Sequence, residues 1–191
     1  MNTKIISASL LCLLMASGLV AKSKGAPPMS SGVPDQKSCM SSKCHGDFEL
    51  NSGDGEIIIK GLPEKYVPGE TYDIVISMTQ DKKKAWGFQA TVASADAKPV
   101  GQLMADDSPA IQKIDTKAYA RFSELEFLTH TSKGTRGPKT GISPEWAFQW
   151  QAPAEAEGVA NVYVALNAGN GNKKKTGDYV YTRSFAISPA E

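Results

Sequence analysis

Four stretches of this chain alternate apolar and polar residues with a period of two, and that alternation commits them to strands with one buried face. Tyr72, Ile74, Ile76 and Met78 interleave with Thr71, Asp73, Val75 and Ser77, and Trp146, Phe148 and Trp150 with Ala147, Gln149 and Gln151. Val162, Val164 and Leu166 make a third face, and Tyr179, Tyr181, Phe185 and Ile187 a fourth that Arg183 interrupts. Residues 56–60, 86–92 and 125–129 are further strand candidates. Turn clusters separate the runs: Val67-Pro68-Gly69, Asp81-Lys82-Lys83-Lys84, Lys133-Gly134-Thr135, Ala152-Pro153 and Asn170-Gly171-Asn172. Short strands so punctuated, without a sustained helical period, predict an all-β, immunoglobulin-like β-sandwich. No internal repeat is visible, so 22–191 reads as a single domain, divided into an extended segment at 22–54 and the sandwich at 55–191.

Residues 1–21 read as a signal peptide, with Lys4 as the positive region, an apolar stretch from Ile5 to Val20 and a cleavage point at Ala21. Ser7, Ser9, Ser17 and Gly18 interrupt that stretch, which falls short of the roughly 20 strongly apolar residues of a membrane span. Cys12 follows Leu10 and Leu11, not the small residues that precede a lipid-attachment cysteine. The expectation is an exported protein, periplasmic or secreted, with no membrane span. Loss of Lys4 leaves 20 of the 21 basic residues against 20 acidic ones, and that balance lacks the basic excess that nucleic acid requires. From Lys22 to about Ser38 the chain is rich in Gly, Pro, Ser and Lys and reads as an extended lead-in.

Chemistry concentrates in Cys39-Met40-Ser41-Ser42-Lys43-Cys44-His45. Two cysteines followed at once by a histidine suit covalent attachment of haem, with thioethers to both sulfurs and the histidine ligating iron from one face. Four residues separate the cysteines where the usual motif has two. The competing readings are a Cys39–Cys44 disulfide, which an oxidising compartment permits but which leaves His45 without a role, and a zinc or copper site. Export agrees with both haem and disulfide. The expected cofactor is one haem c, held by Cys39 and Cys44 with His45 as proximal ligand.

The sequence has only one other histidine, His130, and it is the candidate distal ligand; the alternative is an ordinary surface or hydrogen-bonded core histidine. Met29, Met40, Met78 and Met104 are weaker candidates, Met78 because it falls on an apolar strand face and Met40 because it lies inside the cysteine loop. No Gly-x-Ser-x-Gly or His-Glu-x-x-His motif is present, so the chain reads as no enzyme unless the iron keeps an open position for oxidase or peroxidase chemistry. Two lysine triplets, 82–84 and 173–175, would steer an acidic redox partner if they shared one end of the sandwich; otherwise they are solvated turn ends. The stretch 167–172 offers oxygens to calcium but lacks carboxylates, and a glycine-rich loop explains it better.

One family shows the same set of motifs in the same order. Gly25-Ala26-Pro27-Pro28, Cys44-His45-Gly46, Tyr66-Val67-Pro68-Gly69-Glu70-Thr71-Tyr72, Trp86-Gly87-Phe88-Gln89, His130-Thr131, Trp150-Gln151-Ala152-Pro153 and Gly177-Asp178-Tyr179-Val180-Tyr181 resemble Reeler (reelin-type) domains across nearly all of the mature chain. The likeness is strongest to exported bacterial members, which have a haem-like Cys-x-x-Cys-His motif ahead of the sandwich. The resemblance implies an immunoglobulin-like sandwich and no particular reaction. Animal members look like extracellular recognition or defence modules without haem, and they carry histidines near the positions of His45 and His130. It therefore implies that these two histidines approach one another, with or without iron. The departures are the four-residue gap and the lack of a later cysteine to pair with the first. Two functional expectations follow: an exported monohaem electron-transfer protein, or a haem-free recognition module with a Cys39–Cys44 disulfide.

Overall fold

A computed structural model describes residues 24–36, 38–40, 44–105, 107–116 and 124–191. The expected signal peptide lies outside the described residues, as does Ser41-Ser42-Lys43 within the cysteine loop. Among the described residues ten strands form and no α-helix does: β1 Glu56–Lys60, β2 Lys65–Tyr66, β3 Thr71–Thr79, β4 Ala85–Ala93, β5 Gln102–Ala105, β6 Ile111–Lys113, β7 Leu128–His130, β8 Trp146–Gln151, β9 Ala160–Gly169 and β10 Tyr179–Pro189. They make two sheets, a four-stranded one in the order β1-β3-β8-β5 and a six-stranded one in the order β2-β10-β9-β4-β7-β6. All pairings are antiparallel except the short β2 to β10 contact.

Alternation decides what fills the space between the sheets. Ile74, Ile76 and Met78 of β3 and Trp146, Phe148 and Trp150 of β8 point inward from one side. Trp86, Phe88, Ala90 and Val92 of β4 and Val162, Val164, Leu166 and Ala168 of β9 meet them from the other. Phe88 stacks on Trp146 at 4.7 Å, and the indole N–H groups of Trp146 and Trp150 donate to the carbonyls of Gly134 and Val100, so neither buried ring leaves its polar atom unpaired. Each such side chain stabilises the fold by roughly 1.5–3 kcal/mol relative to an exposed one.

The four principal faces expected from the sequence are therefore present, with Tyr72, Tyr179 and Phe185 only half-buried. The 125–129 candidate is a strand only from Leu128, because Leu125 and Phe127 leave the ladder to pack on the opposite face of the six-stranded sheet. Strands β2, β5 and β6 carry no sequence pattern long enough to announce them.

The segment that reads as a bare lead-in is packed against the sandwich. Residues 24–36 and 38–40 lie across the outer face of the six-stranded sheet, closed by a bridge between Ser31 and Ser38. Ala26 N–H donates to Thr129 Oγ1 at 3.1 Å; Gln89 accepts from Ser30 N–H at 2.5 Å and donates to the Pro27 carbonyl at 2.7 Å. Val33 and Met29 pack there with Ala93, Leu125, Phe127 and Tyr163 as a second apolar cluster. The chain then turns onto the edge of β10 that β2 leaves unpaired: Asn51 N–H donates to the Val180 carbonyl at 3.0 Å, Asn51 Oδ1 accepts from Thr182 N–H at 2.8 Å, and Phe48 stacks on Tyr179 at 4.2 Å. A sheet edge that would otherwise offer open hydrogen bonds is thereby covered.

Candidate functional site

Strand register puts Gly87, Gln89 and Thr91 of β4 opposite Asn167, Ala165 and Tyr163 of β9, all on the outer face, because Phe88 and Leu166 between them point inward. Val180 and Thr182 of β10 continue the same rows. Small residues at Gly87, Ala165 and Gly169 keep this part of the face low, and the segment bearing the cysteines and His45 arrives above it.

His45 is fixed by a carboxylate. Its Nδ1 lies 2.7 Å from Asp178 Oδ2, and Asp178 is 3% exposed at the start of β10. The other carboxylate oxygen accepts the Asn170 N–H at 3.1 Å, so the backbone of the 170–177 loop sets the carboxylate's angle. An ionised carboxylate can only accept, so Nδ1 is the donor in this contact, which in a neutral ring leaves the lone pair on Nε2. Nearby, Gly177 N–H donates to Asp47 Oδ2 at 2.6 Å and Lys83 Nζ donates to the Gly177 carbonyl at 2.7 Å, with the ammonium 4.6 Å from the centre of the Tyr179 ring. Burial lowers the Lys83 pKa, and the Asp178 charge works against that shift.

His130 ends β7 and is 6% exposed. Its ring leaves the ladder: Nδ1 lies 3.1 Å from Phe88 N and 3.2 Å from Phe88 O, where a strand neighbour's peptide would otherwise bond. The ring rests on Gly87, where a Cβ would come within 2.8 Å of His130 Cε1. The two histidines thus sit on one face of one sheet. Asp178, which holds His45, reaches over Gly169, and Gly169 is two residues from Asn167, the ladder partner of the Gly87 beneath His130.

Cys39 and Cys44 are both half-buried, and neither is in a disulfide. The Cys39 Sγ–H faces the Ser30 carbonyl at 3.7 Å. Burial, and after it the charge of a Cys44 thiolate, pushes the Cys39 thiol from 9.0 up to about 12, so the two sulfurs are electrostatic neighbours and Cys39 is a poor nucleophile.

Other expectations sort clearly. Met78 is fully buried between the sheets and Met104 lies on the four-stranded sheet, so neither is near His45. Among the described residues no three His, Cys, Asp or Glu side chains converge to hold a metal ion, which leaves the zinc or copper reading without a ligand set there. Asn170 Oδ1 and Asn172 Oδ1 accept the N–H groups of Asn172 and Lys174, holding their own turn as a glycine-rich loop does. The picture of both lysine triplets as solvated turn ends is corrected at Lys83, which is 9% exposed because its ammonium is tied inward.

Sequence reading alone missed Asp178 and Gly87 as site residues. Both stand in the sequence only as members of the Reeler-like strings 177–181 and 86–89, with no sign of what they touch. Asn167 Oδ1, Ser31 Oγ and both polar atoms of Gln36 are buried without a partner among the described residues. Orphan polar atoms of this kind mark a place for a bound group or ordered water. On the same face His45 is oriented by Asp178 and His130 rests on Gly87.

No family model matches the chain, and no curated protein does either. Among solved structures, the Reelin-N domain of F-spondin superposes with a TM-score of 0.50 at 13% identity, covering 78% of this chain and 96% of that one. The fold is Reeler-type. The human F-spondin reeler domain follows with a TM-score of 0.49 at 13% identity, covering 76% of this chain and 96% of that one. AvmM, described as catalysing macrocyclization in alchivemycin A biosynthesis, stands at 0.40 and 12%, too distant to bear on chemistry here.

Proposed function

We propose that this chain is an exported, non-catalytic module of Reeler-type fold that carries one covalent c-type haem and acts in electron transfer. Cys39 and Cys44 are the thioether anchors, His45 the proximal ligand and His130 the distal one. The observation that carries this reading is the hydrogen bond from His45 to buried Asp178, since a carboxylate that fixes the tautomer and the ring plane is what a ligating histidine uses and a surface histidine does not need. The haem would supply a one-electron couple, tuned by its axial ligands and by the polarity of the outer face.

A second reading is kept by a specific observation. The Reeler-type fold supports a haem-free extracellular recognition module, in which Cys39 and Cys44 would be oxidised to a disulfide. Expression in a haem-maturing host separates the two. The expected product is red, gives a pyridine haemochrome band, and loses covalent haem in Cys44→Ser; His130→Ala then shifts the oxidised spectrum from low toward high spin. Colourless protein that has lost two hydrogens through Cys39–Cys44 pairing would establish the recognition module instead.

A further inference from the structure

Three loops meet at the end of the sandwich that carries His45 and Asp178, and all three are cationic. The 81–84 turn bonds the 170–177 loop through Lys83 Nζ to the Gly177 carbonyl at 2.7 Å, and Lys84 N–H donates to the carbonyl of Gly169, where that loop leaves β9, at 2.9 Å. It bonds the 136–142 loop through Gly141 N–H to the Lys83 carbonyl at 2.8 Å and through Arg136 Nη1 to the Lys84 carbonyl at 2.9 Å. A Cβ at Gly171 would stand 3.4 Å from Lys84 Cβ and 3.6 Å from Arg136 Nη1, so the tips adjoin. Lys82, Lys84, Arg136, Lys139, Lys173 and Lys174 are all exposed there. Against them the same loops expose one carboxylate, Asp81, which caps the N–H of Lys82.

In a chain whose acidic and basic residues nearly balance, gathering six cations on one interlocked rim concentrates positive potential far beyond the average surface. The arrangement is also braced from within. Lys83 turns away from its two neighbours and pins the 170–177 loop through the Gly177 carbonyl, while Asp178 holds Asn170 at the other end of that loop. The rim is therefore held as a shape, and it borders the carboxylate that orients His45.

We propose that this rim is the docking surface for an acidic protein, and, resting on the haem reading, that the partner exchanges electrons with the group held at His45. A protein surface is favoured over a lipid surface because, besides the cations and Asp81, these tips carry Asn, Gly, Thr, Pro and the half-buried Ile142, and the one large exposed apolar side chain beside them, Phe48, lies flat on the Tyr179 ring. Charge complementarity of this kind acts chiefly on the association rate and makes it depend on salt.

The test uses the haem-loaded protein and a reduced flavodoxin with a strongly acidic surface. The second-order rate of haem reduction should fall about tenfold as salt rises from about 0.01 M to about 0.3 M. The variant Lys82→Glu/Lys84→Glu/Lys174→Glu should lose that advantage at low salt and reverse the salt trend, while its reduction by dithionite stays unchanged. Equal flavodoxin rates in variant and parent, at every salt concentration, would overturn the docking surface. If the protein is colourless, the haem reading fails separately, and fluorescence anisotropy with labelled poly-L-glutamate tests the surface. Binding lost in the triple variant supports it, and binding unaffected by the variant overturns it. Stronger retention on phosphatidylglycerol vesicles than on polyglutamate would assign the rim to a membrane and also overturn the proposal.

Discussion

Between the sheets, Trp146, Phe148 and Trp150 meet Phe88, Val164 and Leu166 in a region where the one orphan polar atom among the described residues is Trp86 Nε1. On the other side of the same six-stranded sheet, Gly87, Gln89, Ala165 and Asn167 meet a polar cover in which Ser31, Gln36 and Asn167 all bury unpartnered atoms. A covered sheet face need not be built this way, since leaving a buried polar atom unsatisfied costs roughly 1–3 kcal/mol. The apolar cluster of Val33, Leu125, Phe127 and Tyr163 shows that the same cover can make an ordinary second core a few residues along. The contrast teaches that the inner face is packed apolar surface with its polar atoms nearly all paired, while the outer face is covered through polar side chains and leaves several of them unpartnered among the described residues.

The largest effect expected from this division is on stability. Trp146→Ala should lower the unfolding free energy in a urea titration by roughly 3–5 kcal/mol, because the variant leaves a cavity between the sheets and an unpaired Gly134 carbonyl. Asn167→Ala in haem-free protein should cost less than about 1 kcal/mol or stabilise, since it removes an orphan acceptor and little packing. Comparable losses in the two variants would erase the distinction between the faces.

The inner face was legible in the sequence for a simple reason: a half-buried strand has a period of two, and Ile74-Ile76-Met78 or Trp146-Phe148-Trp150 can hardly be read otherwise. The outer face was not, because β9 is buried on both sides, and Ala165 and Asn167 give no periodic signal of burial. The two histidines and two cysteines stood out by rarity and by adjacency. What organises them is non-local: Asp178 lies 133 residues beyond His45, and Gly87 is 43 positions before His130. Only strand register brings such pairs together. The 22–54 segment looked like a tail because its hydrogen bonds run through side chains, Gln89 and Thr129 of the sheet and its own Asn51, rather than into a ladder with a pattern of its own.

A smaller effect should follow from raising the floor beneath His130. Gly87 has no room for a side chain, as a Cβ would stand 2.8 Å from Cε1 and 3.2 Å from Nδ1 of that ring. Gly87→Val should force the imidazole off its contacts with the Phe88 peptide and cost roughly 1–3 kcal/mol, the usual range for overpacking. The proton resonances of the His130 ring would report the displacement directly. Inner-face signals such as the Trp150 indole N–H should hold their positions, because Trp150 bonds to Val100 on the far side of the sheet. Movement of both sets would mean that the outer face is structural in the same sense as the core.

The smallest effect is a pH dependence at the cysteine loop. In haem-free, reduced protein the Cys39 thiol is held up at about 12, whereas in the unfolded chain it ionises near 9.0. Above 9 the unfolded state has therefore released a proton that the folded state retains. Stability should fall as pH rises through that window, by at most about 1.4 kcal/mol per pH unit and by less than that between about pH 8.5 and 9.5. Below 9 both states keep the proton, and Cys39 should contribute no slope. Tyr163 and Tyr181, whose pKa values burial also raises, add a slope of the same sign, so the measurement is the difference between parent and Cys39→Ser across that interval. A flatter profile in Cys39→Ser places this sensitivity at the cysteine loop. Identical profiles would mean that the thiol is not buried against Ser30, and the cover would then be looser over the cysteines than it is over Gln89. In haem-loaded protein the same substitution should leave the slope unchanged, because a thioether sulfur has no proton to lose.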